Sequence, residues 1–140
     1  MFERILLAVD GSDHALNAAR MAGDLTRTGN TKQLLIVVAY DHIPSYLGEP
    51  NLQHAINARL KEAEKILDAA QQAVGEVPAE VQTELIEGSP AEAIIEVAKT
   101  RQVDLIVMGA RGLGRIVAAV FGSTSQKVVA HAPCPVLIVR

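Results

Sequence analysis

The sequence is poor in the residues that mark several large classes of protein. It contains one cysteine, Cys134, so an internal disulfide is impossible and a reducing compartment is favoured. Aromatic residues make up only 3% of the chain and tryptophan is absent, which removes the stacking platforms that single-stranded nucleic acids prefer. The formal net charge of −3 provides no basic excess. We therefore expect no nucleic-acid partner.

Long apolar runs are also missing. None approaches the ~20 residues that a membrane-spanning helix needs. The run Ile5–Val9 is too short for a secretory signal and is followed at once by Asp10. We therefore expect no membrane partner and a cytoplasmic location. The 140 residues, of which 49% are hydrophobic and 21% charged, suit one globular domain over residues 1–140.

Short apolar runs alternate with helix-like segments along the chain. Three apolar runs are typical of buried strands: Ile5–Val9, Leu34–Ala39 and Leu105–Met108. A fourth apolar run, Val136–Val139, is predicted to form the last strand. Val81–Glu87 instead alternates apolar and polar residues, as an edge strand does. Helices are predicted over about 13–28, 52–74, from residue 90 onward, and 123–131. The alternation predicts an α/β fold with a parallel sheet and helices on both faces.

Polar residues predict the start of two helices. Ser12 is expected to cap the first helix, and Ser89 with Glu92 is expected to form a capping box.

The polarity of the third strand predicts the strand order. The order 2-1-3-4-5 would place the half-polar third strand in the centre of the sheet, whereas the order 3-2-1-4-5 places it at an edge. In that order, strands 2 and 3 are added on one side of strand 1, and strands 4 and 5 on its other side. Open α/β sheets bind ligands at such a switch point, which here lies between strands 1 and 4. Asp10 and Gly109 follow those two strands, so both are expected at one crevice.

The segment Met108–Ser125 carries the most informative motif. Gly109 and Gly112 lie three residues apart, and Gly122 follows ten residues later. Glycine lets a backbone approach a ligand closely, and the unpaired N–H groups at a helix start attract anions. We interpret the first two glycines as wrapping a pyrophosphate, and Gly122 to Thr124 as holding a terminal phosphate. The alternative is that the glycines serve only a tight strand-to-helix turn.

Several side chains near these glycines suit a phosphate ligand. Asp10 could accept a hydrogen bond from a ribose hydroxyl or help to hold Mg²⁺ beside phosphates; alternatively it is a turn residue. Arg111 could clamp phosphate oxygens. One of Ser123, Thr124 and Ser125 is expected to cap the helix that begins there, with any phosphate contact in addition. The histidines show no metal-ligand spacing, and no Ser–His–Asp set can be assembled.

The spacing Gly109-x2-Gly112-x9-Gly122-Ser123 resembles the G-2x-G-9x-G-[S/T] motif of ATP-binding universal stress proteins. The resemblance extends from the opening strand with Val9-Asp10 to the end of the chain. It implies a single Rossmann-like (adenine nucleotide alpha hydrolase-like) domain that binds ATP, with Mg²⁺, and regulates stress responses. It also implies a set of nucleotide contacts: Val9, Asp10, Val38, Met108, Gly109, Arg111, Gly112, Gly122, Ser123, Thr124 and Ser125.

The last strand predicts self-association. Val136–Val139 is wholly apolar, yet the topology places it at a sheet edge, where uncovered apolar strands invite aggregation. The resembling family is typically dimeric through this strand, and an antiparallel copy would cover it. We therefore expect a nucleotide-responsive regulatory homodimer. Two alternatives stay open: a dimeric scaffold that binds no nucleotide, and a slow ATPase, since phosphate clamps occur without an evident water-orienting residue.

Overall fold

The computed structural model describes residues 1–111 and 122–140. Their backbone forms one parallel sheet with helices on both faces. The elements follow in this order: β1 (Arg4–Ala8), α1 (Asp13–Thr28), β2 (Gln33–Tyr40), a 3-10 turn (Ser45–Leu47), α2 (Asn51–Val74), β3 (Glu80–Glu87), α3 (Pro90–Thr100), β4 (Leu105–Gly109), α4 (Ser123–His131) and β5 (Val136–Val139). The predicted alternation of strands and helices is confirmed.

The strands lie in the order β3-β2-β1-β4-β5, all parallel, as predicted. Leu6 in the central strand pairs with Leu35 on one side and Ile106 on the other. β1 ends at Ala8, one residue earlier than predicted. Val9 is nonetheless buried, and its N–H donates to the carbonyl of Val37 in β2 at 3.0 Å. Because β2 and β3 lie on one side of β1, and β4 and β5 on the other, the predicted switch point lies between β1 and β4, at the centre of the sheet.

Alternate residues of the strands enter two different cores. Ile5 and Leu7 pack under α1 and α2, whereas Leu6 and Ala8 pack under α3 and α4. This arrangement follows from the two-residue side-chain period of a strand. It also explains the continuous apolar runs, because strands covered on both faces need apolar side chains in both directions.

The predicted helix caps have different outcomes. Ser12 caps α1, since its Oγ accepts a hydrogen bond from the Ala15 N–H at 3.2 Å. Ser89 occupies the N-cap position of α3 but makes no side-chain cap hydrogen bond, so the predicted capping box is wrong. Pro90 at the first position of α3 presets the helical φ angle and has no N–H to satisfy, which reduces the need for a cap.

α2 is the longest helix and extends beyond the sheet. Its inward residues are buried from Ala63 to Val74 but only half-buried between Leu52 and Leu60. The first turns of α2 therefore overhang the carboxyl edge of the sheet, next to the loop Asp41–Pro50. Among residues 1–111 and 122–140, no helix combines the length and apolar character that crossing a bilayer requires.

Candidate functional site

A crevice of about 410 Å³ opens at the carboxyl ends of β1, β2 and β4. The loops that follow β1 and β4 form its floor, α2 forms one wall, and the N-termini of α3 and α4 form the other. Its volume lies within the range of about 300–1,000 Å³ that is typical of small-molecule sites. The crevice thus lies at the switch point that the strand order predicts.

The crevice brings together all but one of the residues predicted to contact a nucleotide: Val9, Asp10, Val38, Met108, Gly109, Arg111, Gly122, Ser123, Thr124 and Ser125. Gly112, the remaining predicted residue, lies outside the described residues. The sequence predictions placed these residues in three separate stretches of the chain. The sheet topology unites them, because the carboxyl ends of adjacent parallel strands meet at one edge.

Asp10 and Ser12 connect the two loops of the floor. One carboxylate oxygen of Asp10, Oδ1, accepts a hydrogen bond from the Ser12 N–H at 2.9 Å. The Ser12 hydroxyl donates to the carbonyl of Arg111 at 3.4 Å. Within the described residues, the second carboxylate oxygen of Asp10 has no hydrogen-bond partner. Asp10 is therefore a turn residue, as the alternative interpretation holds, and it still offers one oxygen at the crevice.

Gly109 is required by the packing of β4 against α1. A Cβ at this position would lie 2.8 Å from the His14 Cβ, 2.9 Å from the His14 carbonyl carbon and 3.0 Å from the Ala15 nitrogen. Two of these three atoms belong to the α1 backbone and cannot rotate away. The close packing of β4 on α1 therefore requires glycine at this position, a role that neither the phosphate interpretation nor the tight-turn alternative predicted.

The N-terminus of α4 faces the crevice without a side-chain cap. Its N-cap is Gly122, so the prediction that one of three hydroxyls caps this helix is wrong. The Ser125 hydroxyl instead donates to the carbonyls of Ala110 and Gly122, at 2.9 and 3.0 Å. The first helical bond joins the Gln126 N–H to the Gly122 carbonyl at 3.1 Å.

Three backbone donors therefore remain at the start of α4. Within residues 1–111 and 122–140, no group accepts a hydrogen bond from the N–H of Ser123, Thr124 or Ser125. Unpaired donors at the positive end of a helix dipole form an anion-binding site. All three residues line the crevice, so an anionic ligand group would meet them there.

The charged side chains around the crevice are mixed in sign. Arg59 and Arg111 are cationic, whereas Asp10, Asp41 and Glu62 are anionic. Across the described part of the chain, no three His, Cys, Asp or Glu residues lie close enough to hold a metal ion. A Mg²⁺ ion would therefore depend on ligand phosphates and water, with Asp10 as its protein ligand, and Mg²⁺ bound beside phosphates commonly uses one or two carboxylates.

Sequence reasoning missed the α2 wall. Arg59, Glu62 and Ile66 line the crevice opposite the α4 N-terminus, and Tyr40 lines it at the end of β2. No signal in the sequence distinguishes Arg59, because it is an exposed charge beside the apolar face of α2 that Ala63, Leu67, Ala70 and Val74 define. Loops after strands were expected to hold the site, and the overhang of a long helix was not evident from periodicity.

Cys134 lies at the opposite edge of the sheet. It precedes the amino end of β5, whereas the crevice is at the carboxyl ends of the strands. Burial raises the pKa of the half-buried Cys134 thiol, and the negative charge of Asp104 raises it further. A raised pKa lowers the thiolate fraction at neutral pH, and the thiolate is the reactive form of a cysteine.

Comparison with known proteins identifies relatives along the whole chain. A universal stress protein of Thermus aquaticus is 51% identical over 140 residues, and the alignment covers 100% of both chains. The solved structure of universal stress protein UspA from Lactobacillus plantarum has a TM-score of 0.85 at 32% identity, covering 98% of this chain and 97% of that one.

A second solved structure, described as a universal stress protein in complex with cAMP, has a TM-score of 0.73 at 25% identity. It covers 99% of this chain and 97% of the other. The model of the universal stress protein family matches residues 1–140. The chain therefore belongs to the universal stress protein family.

Proposed function

We propose that this protein binds an adenine nucleotide, ATP with Mg²⁺, in the crevice and acts in the cytoplasm as a nucleotide-responsive regulatory homodimer in stress responses. The observation that carries the proposal is the uncapped N-terminus of α4. The N–H groups of Ser123, Thr124 and Ser125, which have no acceptor among residues 1–111 and 122–140, lie at a crevice that also contains Asp10 and Arg111. These are donors and charges that suit phosphates and a ribose.

The two walls of the crevice differ in a way that suggests the orientation of the nucleotide. Val38, Ala63 and Ile66 give the α2 side an apolar surface that suits a base. The α4 side offers backbone N–H donors that suit phosphates. Asp10 lies on the floor between the walls, where its second oxygen could accept from a ribose hydroxyl or contact Mg²⁺. The relative described as a cAMP complex supports an adenine nucleotide as the class of ligand.

The phosphate end is best tested at Ser123, which is exposed at the first position of α4. Ser123→Asp places a negative charge beside the three N–H groups. This charge favours the helix through its dipole but repels phosphate, so binding and folding should change in opposite directions. The matched control is Ser123→Asn, which has nearly the same shape without the charge.

The measurement is titration calorimetry with ATP and Mg²⁺ on protein that has been unfolded, refolded and cleared of carried-over ligand. We expect wild type and Ser123→Asn to bind, and Ser123→Asp to bind at least tenfold more weakly. The melting temperature of Ser123→Asp should be unchanged or higher. If the wild type binds no adenine nucleotide, the nucleotide proposal fails and the scaffold alternative takes its place.

The proposed dimer forms through the outer edge of β5. The carbonyls of Pro135 and Val139 accept from the backbone of the β4 side, at 3.0 and 2.8 Å. Because backbone groups alternate along a strand, Val136 and Ile138 direct their N–H and C=O groups to the outer edge. All four residues of β5 are apolar and half-buried in the single chain. An antiparallel copy would pair these groups and cover the edge.

Proline substitution separates the two edges of β5. Ile138→Pro removes an outward N–H and should give a folded monomer in sedimentation velocity, whereas Leu137→Pro removes a bond to β4 and should impair folding. A wild type that sediments as a monomer at all concentrations would contradict the dimer, as would an Ile138→Pro variant that stays dimeric.

The loop Asp41–Pro50 is the surface that we expect nucleotide to regulate. Tyr40 and Asp41 line the crevice, and the loop continues from them to the exposed Tyr46. Bound nucleotide should therefore slow hydrogen exchange in this loop. Equal exchange with and without saturating ATP would refute this means of regulation.

Turnover is expected to be slow or absent. Phosphoryl transfer needs an oriented nucleophile as well as charge stabilisation, and the described crevice residues include no Gln or His. Its Glu62 lies on the α2 wall, opposite the proposed phosphate end. Linear phosphate release at many turnovers per minute would favour the ATPase alternative instead.

A further inference from the structure

One buried residue connects the start of α4 to the last strand. Ala110 follows β4, is fully buried and lines the crevice. Its N–H donates to the carbonyl of Val139, at the end of β5, at 2.8 Å. Its carbonyl accepts from two groups at the start of α4, the Gly122 N–H at 2.7 Å and the Ser125 hydroxyl at 2.9 Å. The phosphate end of the crevice is therefore joined to the end of β5 through a single residue.

The carboxyl end of β5 is held by contacts from two elements. The strand has four residues, and Val139 is the last to pair with β4. Besides the Ala110 N–H, the side-chain amide of Asn17 in α1 fixes this end, because it donates to the Arg140 carbonyl at 3.0 Å. The ends of secondary-structure elements open more readily than their centres. A change that fixes Ala110 therefore reduces the freedom of the strand end.

We propose that a nucleotide phosphate bound at α4 strengthens the homodimer through Ala110, with Ser125 as the positioning residue. This inference rests on the proposed function, which supplies both the phosphate and the antiparallel contact of β5. Phosphate oxygens that accept from the N–H groups of Ser123, Thr124 and Ser125 fix the first turn of α4. Both donors to the Ala110 carbonyl belong to the start of this helix, so Ala110 and the Val139 carbonyl are fixed with it.

The proposed dimer requires the same end of β5 to be ordered. Ile138 directs its N–H and C=O groups to the outer edge, beside the Val139 carbonyl that Ala110 holds. A strand that is already fixed loses less conformational entropy when a second strand pairs with it. A ligand that orders the strand end thus favours the dimer without touching the other copy. Because such coupling is reciprocal, the dimer should also bind the nucleotide more tightly than a monomer does.

The test measures the dimer dissociation constant of the refolded full chain by sedimentation velocity over a range of protein concentrations. The samples contain no ligand, saturating ATP with Mg²⁺, or adenosine. We expect ATP to tighten the wild-type dimer by about tenfold. Adenosine has no phosphate and should leave the dimer constant unchanged.

Reciprocity gives a second measurement of the same coupling. Each dimer binds two nucleotides, so a tenfold tighter dimer corresponds to an affinity for ATP that is about threefold higher at each site. Calorimetry should therefore show that ATP binds to the Ile138→Pro monomer about threefold more weakly than to the wild-type dimer.

Ser125→Ala removes the positioning hydroxyl and keeps the backbone donor of this residue. Both acceptors of the hydroxyl retain a donor, because the Ala110 carbonyl keeps the Gly122 N–H and the Gly122 carbonyl keeps the Gln126 N–H. The variant should therefore fold. We expect ATP to tighten its dimer by less than about threefold. Since the dimer constants are compared at saturating ATP, a lower affinity of the variant for ATP does not by itself alter this result.

Thr26→Val is the matched control. The Thr26 hydroxyl is also buried on a helix and donates to a backbone carbonyl, that of Ala22, at 2.7 Å. It lies near the end of α1 that is remote from the crevice. Thr26→Val should lose stability, as the deletion of a buried hydrogen bond does, and keep the full effect of ATP on the dimer.

Several results would overturn the coupling and leave the nucleotide proposal intact. ATP that binds but leaves the wild-type dimer constant unchanged, or weakens the dimer, would contradict it directly. An effect of adenosine equal to that of ATP would exclude the phosphate end as its origin. A full effect in Ser125→Ala, or an equal loss in Thr26→Val, would remove the role of Ser125. A wild type that binds no nucleotide, or that stays monomeric at all concentrations, would instead overturn the proposed function itself.

Discussion

Gly109→Ala should destabilise the protein before any ligand is considered. The added Cβ would lie 2.8–3.0 Å from three atoms of α1, namely the His14 Cβ, the His14 carbonyl carbon and the Ala15 nitrogen. No rotation of a side chain relieves these contacts, so β4 and α1 must move apart at a point where both are packed. Overpacking of this kind costs about 1–3 kcal/mol.

A second effect opposes the first. Alanine restricts the unfolded chain more than glycine does, which returns about 0.4–1 kcal/mol where the native backbone permits alanine. The net loss should be about 1–2 kcal/mol, or roughly 3–7 °C in melting temperature for a domain of this size. The assay is urea unfolding of the nucleotide-free protein followed by circular dichroism. Gly122→Ala is the comparison, because the backbone at Gly122 (φ −78°, ψ 168°) is extended and suits alanine.

The two roles of Gly109 lead to different results. If packing requires the glycine, Gly109→Ala loses stability without ligand, and the loss exceeds that of Gly122→Ala. An unchanged midpoint in the nucleotide-free protein, combined with lost ATP binding, would refute the packing argument and assign this glycine to the ligand. If packing requires the glycine, saturating ATP should stabilise Gly109→Ala only by the amount that ligand binding to any native state provides, and the loss caused by the added Cβ should remain.

Three further predictions concern packing, capping and the thiol. Gly23→Ala should destabilise the protein by about 1–3 kcal/mol in urea unfolding, because its Cβ would overlap the Val74 carbonyl where α1 meets α2; an unchanged midpoint would contradict this contact. Ser12→Ala should cost about 1 kcal/mol through loss of the α1 cap, and a cost within error of zero would show that the cap is not needed. Because the folded pKa of Cys134 is raised, its thiol contributes stability that is present below the unfolded pKa of about 8.5 and lost as pH rises through the folded value. The native thiol should react with a disulfide reagent more slowly than the urea-unfolded thiol at pH 8, and equal rates would contradict the shift.

The sequence determined the fold because its signals are local and repeated. Apolar runs such as Leu34–Ala39 identify buried strands, and the half-polar Val81–Glu87 can be accommodated only at an edge. These features were sufficient for the order 3-2-1-4-5 and for a crevice between β1 and β4. The spacing of the glycines indicated the family, because the backbone of a loop requires glycine at particular positions and these positions can be read directly from the sequence.

The tertiary structure alone decided what individual residues do in that crevice. The spacing of Gly109 gives no indication that His14 lies against it, because this contact joins residues 95 positions apart. The hydroxyls after Gly122 were each plausible caps, but the Ser125 hydroxyl bonds to the Ala110 carbonyl instead, and no side chain among the described residues caps α4. Arg59 and Glu62 reach the site because α2 overhangs the sheet. Contacts between distant segments depend on how layers pack, and local patterns carry no information on that packing.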